Sequence, residues 1–269
     1  MATTGADTVA MNSPTVPRAP LTVARRFTAA GAQAWPAETL HYDGAWAVRL
    51  SSDCAAKRQN CVTPLDPSDD ADIDMRLKRV IERFADAGKR PRFLISPLAS
   101  QRILDSLIER GWTAEARTTI QSRSVDDWND DNAPELRRVK AEEFVAAHAA
   151  IGARSIERGD DLRAVLARIE PPSFLFLLER DDHPVGSVVC VRQGDMIGSF
   201  ELNVSKDVRG KGLGKELISG VLSWAKKRKA SGVWEQVEAD NAASTALSRS
   251  LGFEPVYDYF YMSSPDATQ

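Results

Sequence analysis

Residues 209–215, RGKGLGK, combine glycines and cations at a spacing suited to holding an anion. Gly210, Gly212 and Gly214 let successive backbone amides turn into one concavity without a Cβ in the way, and Arg209, Lys211 and Lys215 surround it with positive charge. A helix that begins here adds the positive end of its dipole. Such a cradle suits a phosphate or pyrophosphate. A strand and a helix must position it. Leu202 and Val204 carry the apolar half of a period-2 alternation, whereas Leu213, Leu217, Val221 and Ala225 recur at helical spacing. The chain therefore passes from strand to helix across 209–214.

The nucleotide-triphosphate loop needs Gly-Lys followed by Ser or Thr, and the dinucleotide fingerprint places its first glycine directly after the strand, so neither fits cleanly. Arg209-x-x-Gly212-x-Gly214 instead resembles the pyrophosphate loop of the GNAT acetyltransferases, the superfamily that transfers acyl groups from coenzyme A to amines. A second stretch lies in the matching order. Residues 233–239 alternate as a strand, Asp240 or Asn241 can cap a helix, and 241–253 reads NAASTALSRSLGF. This is similar to the GNAT stretch in which an asparagine opens the helix beside the pantetheine arm and Leu-Gly-Phe, here Leu251, Gly252 and Phe253, closes it. Gly252 falls where a helix takes a left-handed residue at its end. The resemblance covers 134–262, about half the chain.

The resemblance implies that acetyl-CoA is the cofactor. Its pyrophosphate would lie on Arg209, Gly210, Lys211, Gly212, Leu213, Gly214 and Lys215. Its pantetheine would lie along the backbone edge of Leu202, Asn203 and Val204, beside Asn241, Ser244 and Ser248, with the Val204 amide polarising the thioester carbonyl. Two positions depart from the family pattern. Many members carry a tyrosine after the leucine of the second helix as general acid toward the departing thiolate, and Ser248 stands there instead. A serine hydroxyl is a far weaker acid than a phenol, whose pKa is near ~10. Members resembling the ribosomal-protein N-terminal acetyltransferases carry a catalytic glutamate five residues before the asparagine, where this chain has Gln236. The general base is therefore expected at Glu201, beside the cofactor edge, with Glu238 second; an exposed strand carboxylate is the plain alternative for each. Glu235 and Glu238 face opposite sides of their strand. Tyr257, Tyr259 and Tyr261 alternate on the final strand and share one face, from which Tyr259 would supply the missing acid unless the stripe is packing.

Composition narrows the classes. The 269 residues favour two domains, and a hydrophobic fraction of 43% is ample for buried cores. With 35 basic against 38 acidic residues there is no excess to track a nucleic-acid backbone, so nucleic acid is excluded as an expected partner. No apolar run reaches the ~18 residues of a membrane span, and the start lacks the order of a signal peptide. A cytoplasmic protein is expected. Cys54, Cys61 and Cys190 show no C-x-x-C spacing, and His41, His148 and His183 no ligand spacing, so reduced thiols and no metal site are expected.

In chain order, 1–20 is rich in Thr, Ala, Pro and Ser and is expected to be a flexible leader. Residues 21–27 begin the ordered chain, followed by a short helix over 29–35 and strands over 46–50 and 61–65 around a polar hairpin loop. Helix 73–87, strand 92–95 and helix 100–110 follow, the last closed by Gly111 and Trp112. That ending echoes 245–253, and the preceding order of helix, strand and helix also repeats, which suggests an internal duplication. Where the C-terminal copy has its cradle, however, 66–74 reads DPSDDADID, and its five aspartates would repel a pyrophosphate. The acidic, turn-rich stretch 125–134 is the expected boundary. Beyond it come strand 136–139, helices 141–151 and 160–169, and strands 174–179, 185–192 and 197–204.

The expected fold is α/β (α+β), a mixed, mostly antiparallel GNAT-type sheet flanked by helices, with two GNAT-like domains in tandem. A degenerate N-terminal unit would span 21–125 and the acetyl-CoA-binding unit 134–264. The expected activity is transfer of an acetyl group to a primary amine of a small molecule. A protein N-terminal or lysine acetyltransferase and a non-catalytic acyl-CoA-binding regulatory module are the alternatives. A small-molecule or peptide amine is thus the expected partner, with no membrane, and with a homodimer left open.

Overall fold

A computed structural model describes residues 14–129, 131–152 and 156–265. Two runs of elements follow one another along the chain. The first is α1 (Leu21–Ala34), β1 (Thr39–Asp43), β2 (Trp46–Leu50), β3 (Cys61–Pro64), α2 (Ile73–Asp86), β4 (Arg92–Ile95), α3 (Gln101–Glu109) and β5 (Thr113–Ser124). The second is β6 (Arg137–Val139), α4 (Ala141–Gly152), α5 (Ile156–Arg168), β7 (Ser173–Arg180), β8 (His183–Gln193), β9 (Met196–Val204), α6 (Leu213–Lys227), β10 (Gly232–Glu238), α7 (Ala242–Ser250) and β11 (Glu254–Ser263). Each run holds an antiparallel meander, a helix that crosses to a parallel strand, a second helix and a returning strand. β3 pairs parallel with β4 across α2, as β9 does with β10 across α6.

The returning strands are exchanged between the runs. β5 pairs antiparallel with the whole length of β10, residues 118–124 against Gly232–Glu238, while β11 crosses to pair with β4. β5 and β11 also pair with each other, so one eleven-stranded sheet runs in the order β1-β2-β3-β4-β11-β5-β10-β9-β8-β7-β6. This is the mixed, mostly antiparallel GNAT-type sheet in tandem. The connection through 125–134 is anchored: Val125 is buried, and the Trp128 indole donates to Ser223 Oγ of α6 at 2.9 Å.

The apolar stripes of the helices decide which face each one covers. On one face α1, α4 and α5 pack over a single cluster built around Phe27, Trp35, Phe144, Phe200 and Trp234. The other face is covered by α2 and α3 over Trp46 and Phe93, and by α6 over Ile197 and Val233. Local caps fix the helix starts. Ser100 Oγ accepts from Ile103 N–H at 3.1 Å, and Asn241 Oδ1 accepts from Ser244 N–H at 3.1 Å. Among the described residues no helix is long and apolar enough to cross a membrane.

Several expectations are corrected. Residues 1–13 of the expected leader lie outside the described residues, but 14–20 is docked: the Val16 amide donates to Gln101 Oε1 at 3.2 Å, Val16 packs against the core under α2 and α3, and Ala19 against the cluster shared by α1, α4 and α5. The helix expected over 29–35 is the second half of α1, and α5 begins at Ile156 instead of 160. Sequence reading missed β1 and β5. β1 is short and exposed along almost its whole length, and its alternation rests on two residues alone, Leu40 and Tyr42. β5 is central yet polar, because its neighbours answer its side chains: Thr119 and Arg117 bond to Asp258 of β11, and Gln121 to Glu235 of β10. The aspartates of 66–74 carry structural bonds. Asp69 accepts from the Ala45 amide and pairs with Arg76, Asp70 pairs with Arg102, and Asp74 with Arg110.

The exchange makes each half depend on the other, since without β5 the whole outer edge of β10 is unpaired. Residues 126–269 expressed alone are expected not to give a folded monomer, whereas co-expression with 1–125 should restore a 1:1 complex. A cooperative melt from a monomeric C-terminal fragment, by circular dichroism and gel filtration, would contradict this.

Candidate active site

The cradle forms where β9 ends. Gly210 and Gly212 hold φ of +77° and +82°, which side-chain-bearing residues rarely adopt, and among the described residues nothing lies within 4 Å of a Cβ built at either. Gly212 is the N-cap of α6, and no side chain caps it. The first amides of α6 therefore end in open space ringed by the exposed Arg209, Lys211 and Lys215. Arg209 is tied back to the strand, its Nε donating to the Val204 carbonyl at 3.2 Å. Gly214 serves packing instead: a Cβ there would meet Leu247 of α7 at 3.3 Å.

Beside the cradle β9 and β10 separate. They pair only through 196–198 and 232–234, ending at Gly198 opposite Trp234. Glu201 then takes φ +51° where the β8–β9 register shifts between Ser187 and Val189, a bulge that turns β9 away. Beyond that point no described strand pairs with β9 on the side facing β10. The result is a wedge-shaped slot with Leu202, Asn203 and Val204 on one bank. Asn203 offers the slot only backbone, because its side chain is buried and donates to the His148 carbonyl at 3.5 Å.

The bulge presents the Glu201 carboxylate to groups from both runs. Arg58 Nη2, from the β2–β3 connection, lies 3.0 Å away, and His148 Nε2 of α4 lies 3.7 Å away. His148 is fixed by stacking on Phe144 and by a 2.9 Å bond between Nδ1 and Ser187 Oγ. Arg58 also lies over the Trp35 ring at 4.7 Å. Sequence reading named Glu201 but missed Arg58 and His148. The available signal was a polar residue in the buried stripe of α4, where Phe144, Val145, His148 and Ile151 point inward. Glu238, the second candidate base, is exposed at the end of β10 and takes no part in this cluster.

On the opposite side of β10, Glu235 is buried among polar groups. Gln121 Nε2 donates to Oε1 at 3.0 Å, and the Ser248 hydroxyl donates to the same oxygen. Burial raises the Glu235 carboxyl above its ordinary value, against the lowering influence of its bonds to Ser248, Gln121 and Ser199. Ser248, expected beside the pantetheine, is 3% exposed, and its hydroxyl also lies 2.9 Å from the Ser244 carbonyl. Its polar atom is turned into the protein. Asn241 and Ser244 are joined in the α7 cap.

A cavity of about 430 Å³ opens under α1 on the face that carries Gln236. Tyr257, Tyr259 and Tyr261 all line it, in agreement with their shared facing, and Arg58 belongs both to its wall and to the Glu201 pair. The Tyr259 hydroxyl donates to Gln236 Oε1 at 2.8 Å. Burial raises the Tyr259 phenol and pushes Tyr257 up to about 12, so both are neutral donors at physiological pH. Among the described residues no group of three His, Cys, Asp or Glu is placed to hold a metal.

A glycine-lined anion cradle at a helix start, a slot between diverging parallel strands and an adjacent cavity define an acyltransferase site of the GNAT type. Comparison with known proteins agrees. The acetyltransferase (GNAT) family model matches residues 126–253. N-alpha-acetyltransferase 30 of Schizosaccharomyces pombe is 30% identical over 36% of this chain and 69% of its own length. The uncharacterized N-acetyltransferase YobR of Bacillus subtilis is 24% identical over 88% of this chain and 97% of its own. A tandem GNAT protein from the clavulanic acid biosynthesis pathway shares the fold with a TM-score of 0.64 at 12% identity, over 95% of this chain and 99% of that one. The chain belongs to the GNAT superfamily and is a GNAT-type acyltransferase.

The raised Glu235 carboxyl has a signed consequence. Because the folded state holds this proton more tightly than the unfolded chain, its contribution to stability is fully present below the ordinary 4.5 and is lost as pH rises through the folded value. Glu235→Gln keeps an oxygen for Gln121 and Ser248 and carries no proton to lose. Its stability relative to the native protein is expected to increase between pH 4.5 and pH 8, by about 1.4 kcal/mol for each unit of separation. Urea midpoints at the two pH values measure this, and a falling difference would show that Glu235 is held as an ion.

Proposed function

We propose that this protein transfers the acetyl group of acetyl-CoA to the primary amine of a small molecule. The observation that carries the reading is the cavity joined to Glu201 through Arg58, of a volume typical of small-ligand sites, ~300–1,000 Å³. Its roof, α1, favours a compact acceptor over an extended peptide. The residues present fit the cofactor. The amides of 210–214 would hold the pyrophosphate, with Arg209, Lys211 and Lys215 around it, and the open edge of Leu202–Val204 would hold the pantetheine. Acetyl-CoA supplies an activated acyl group as a thioester.

The chain's own part is to orient and deprotonate the amine. An alkyl ammonium with a pKa near ~10 arrives protonated, and a carboxylate both attracts it and accepts its proton, directly or through water. Glu201 is suited to this because the bulge aims it from the same strand that forms the slot. Starting from the ammonium, two N–H bonds and one C–S bond break while one C–N and one S–H bond form: one nitrogen proton passes through Glu201 to water, and the other balances the one the thiol gains. The deep Ser248 hydroxyl is committed to Glu235, which favours a proton source on the cavity side, where Tyr259 stands.

Two variants test this reading. Gly212→Glu places a side chain and a negative charge in the cradle and should abolish coenzyme A binding in a folded protein; unchanged affinity by calorimetry would refute the loop's role. Glu201→Gln should lower kcat at pH 7 by about 100- to 10,000-fold, with little change in acetyl-CoA affinity and partial recovery at higher pH. Thiol release from an amine panel reads the rate, and a Gln variant at full rate would remove Glu201 as the base.

A further inference from the structure

Among the described residues two arginines are buried, and their surroundings differ. Arg76 of α2 is met by two carboxylates, Asp43 at 3.1 Å and Asp69 at 3.0 Å. Arg49 of β2 meets none. It is 8% exposed, and its side chain makes one hydrogen bond, from Nη2 to the Trp35 carbonyl at 2.5 Å. A guanidinium taken out of water without a counter-charge is costly, and folded proteins pair such groups. Burial lowers its pKa, yet arginine stays charged.

Arg49 lines the cavity under α1, together with Arg25 and Arg58, and among the described residues no aspartate or glutamate lines it. The other two cations have partners: Arg25 faces Asp66 at 3.6 Å and Arg58 faces Glu201 at 3.0 Å. Arg49 is therefore the cation of the wall whose charge the described residues leave unanswered. The same wall holds the phenols of Tyr257, Tyr259 and Tyr261, kept neutral by burial, so none of them supplies the missing negative charge. A contact path joins this anchor to the base: Arg49 bonds to the Trp35 carbonyl, the Trp35 ring carries Arg58, and Arg58 pairs with Glu201.

We propose that the acceptor is an amine that also bears an anionic oxygen group, a carboxylate or a phosphate, seated on Arg49, with an apolar body against the tyrosines and its amine directed to Glu201. Which end is acetylated rests on the acetyl-transfer reading; the anion seat does not. The unanswered charge of Arg49 also selects against polyamines, which would add further unpaired positive charge.

The test titrates the intact protein by calorimetry with 4-methylbenzoate, 4-methylphenyl phosphate and neutral 4-methylbenzamide. It also follows thiol release with 4-(aminomethyl)benzoate, 4-(aminomethyl)phenyl phosphate and benzylamine. The anionic probes are expected to bind about 10- to 100-fold more tightly than the amide, as charge-assisted hydrogen bonds allow, and the tighter of the two identifies the anion. Arg49→Met should erase that preference and raise KM for the anionic amines by a similar factor, with coenzyme A affinity and the melting temperature of the free protein not reduced. Arg49→Lys should retain part of the preference. Equal binding of amide and anions overturns the proposal, as does an Arg49→Met variant that loses stability while keeping the preference. Anion binding that depends on Arg49, with thiol release from none of the amines, supports the seat and refutes acetyl transfer. Equal acetylation of benzylamine and the anionic amines, unchanged in Arg49→Met, does the reverse.

Discussion

The structure turns on the parting of two parallel strands. β9 and β10 stay paired only as far as Gly198 and Trp234, and the slot, the Glu201 bulge and the cradle all lie beyond that point along β9. Gly198 allows the close approach there, since a Cβ would stand 2.7 Å from the Phe200 ring and 3.0 Å from Trp234. The bulge at Glu201 then bends β9 away while β5 holds β10 on its other edge, so the slot stays open without leaving β10 as a free strand. An unpaired strand edge is usually a liability, and here it is the surface along which an extended arm could bond.

The strand that holds β10 comes from the other half of the chain, and this ties the two GNAT-like units into one continuous sheet. Through the same exchange β11 brings its three tyrosines beneath α1, against β4. The N-terminal run lacks a basic cradle of its own, its aspartates being bonded to Arg76, Arg102 and Arg110. What it contributes instead is the cavity wall and the Arg58 that reaches Glu201. Division of labour follows from the sheet: the C-terminal run carries the cradle and slot, and the N-terminal run shapes the space in front of them.

Buried charge is handled in three ways in this molecule. Arg76 is neutralised by carboxylates within its own unit. Glu235 is accommodated by burial, which favours its neutral form, and by donors from β5 and α7. Arg49 has neither remedy, because a guanidinium does not shed its proton and no carboxylate is within reach among the described residues. Two of these groups hold the structure together, and the third looks outward into the cavity.

The sequence by itself determined the cradle and the class. Glycines at 210 and 212 and the caps at Ser100 and Asn241 act through neighbouring backbone, so their meaning is complete in a few residues. Apolar periodicity likewise marked the elements that bury one face, and the fold class followed from their order. Elements stabilised by polar partners far along the chain left no such mark: β5 takes its bonds from Asp258 and Glu235, which lie more than a hundred residues away. The exchange of β5 and β11, the meeting of Arg58 and His148 at Glu201, and the turning of Ser248 toward Glu235 were decided only by tertiary structure. The reason is physical: a side chain's charge and hydrogen-bonding capacity are local properties, but the groups that answer them are chosen by how the sheet is ordered.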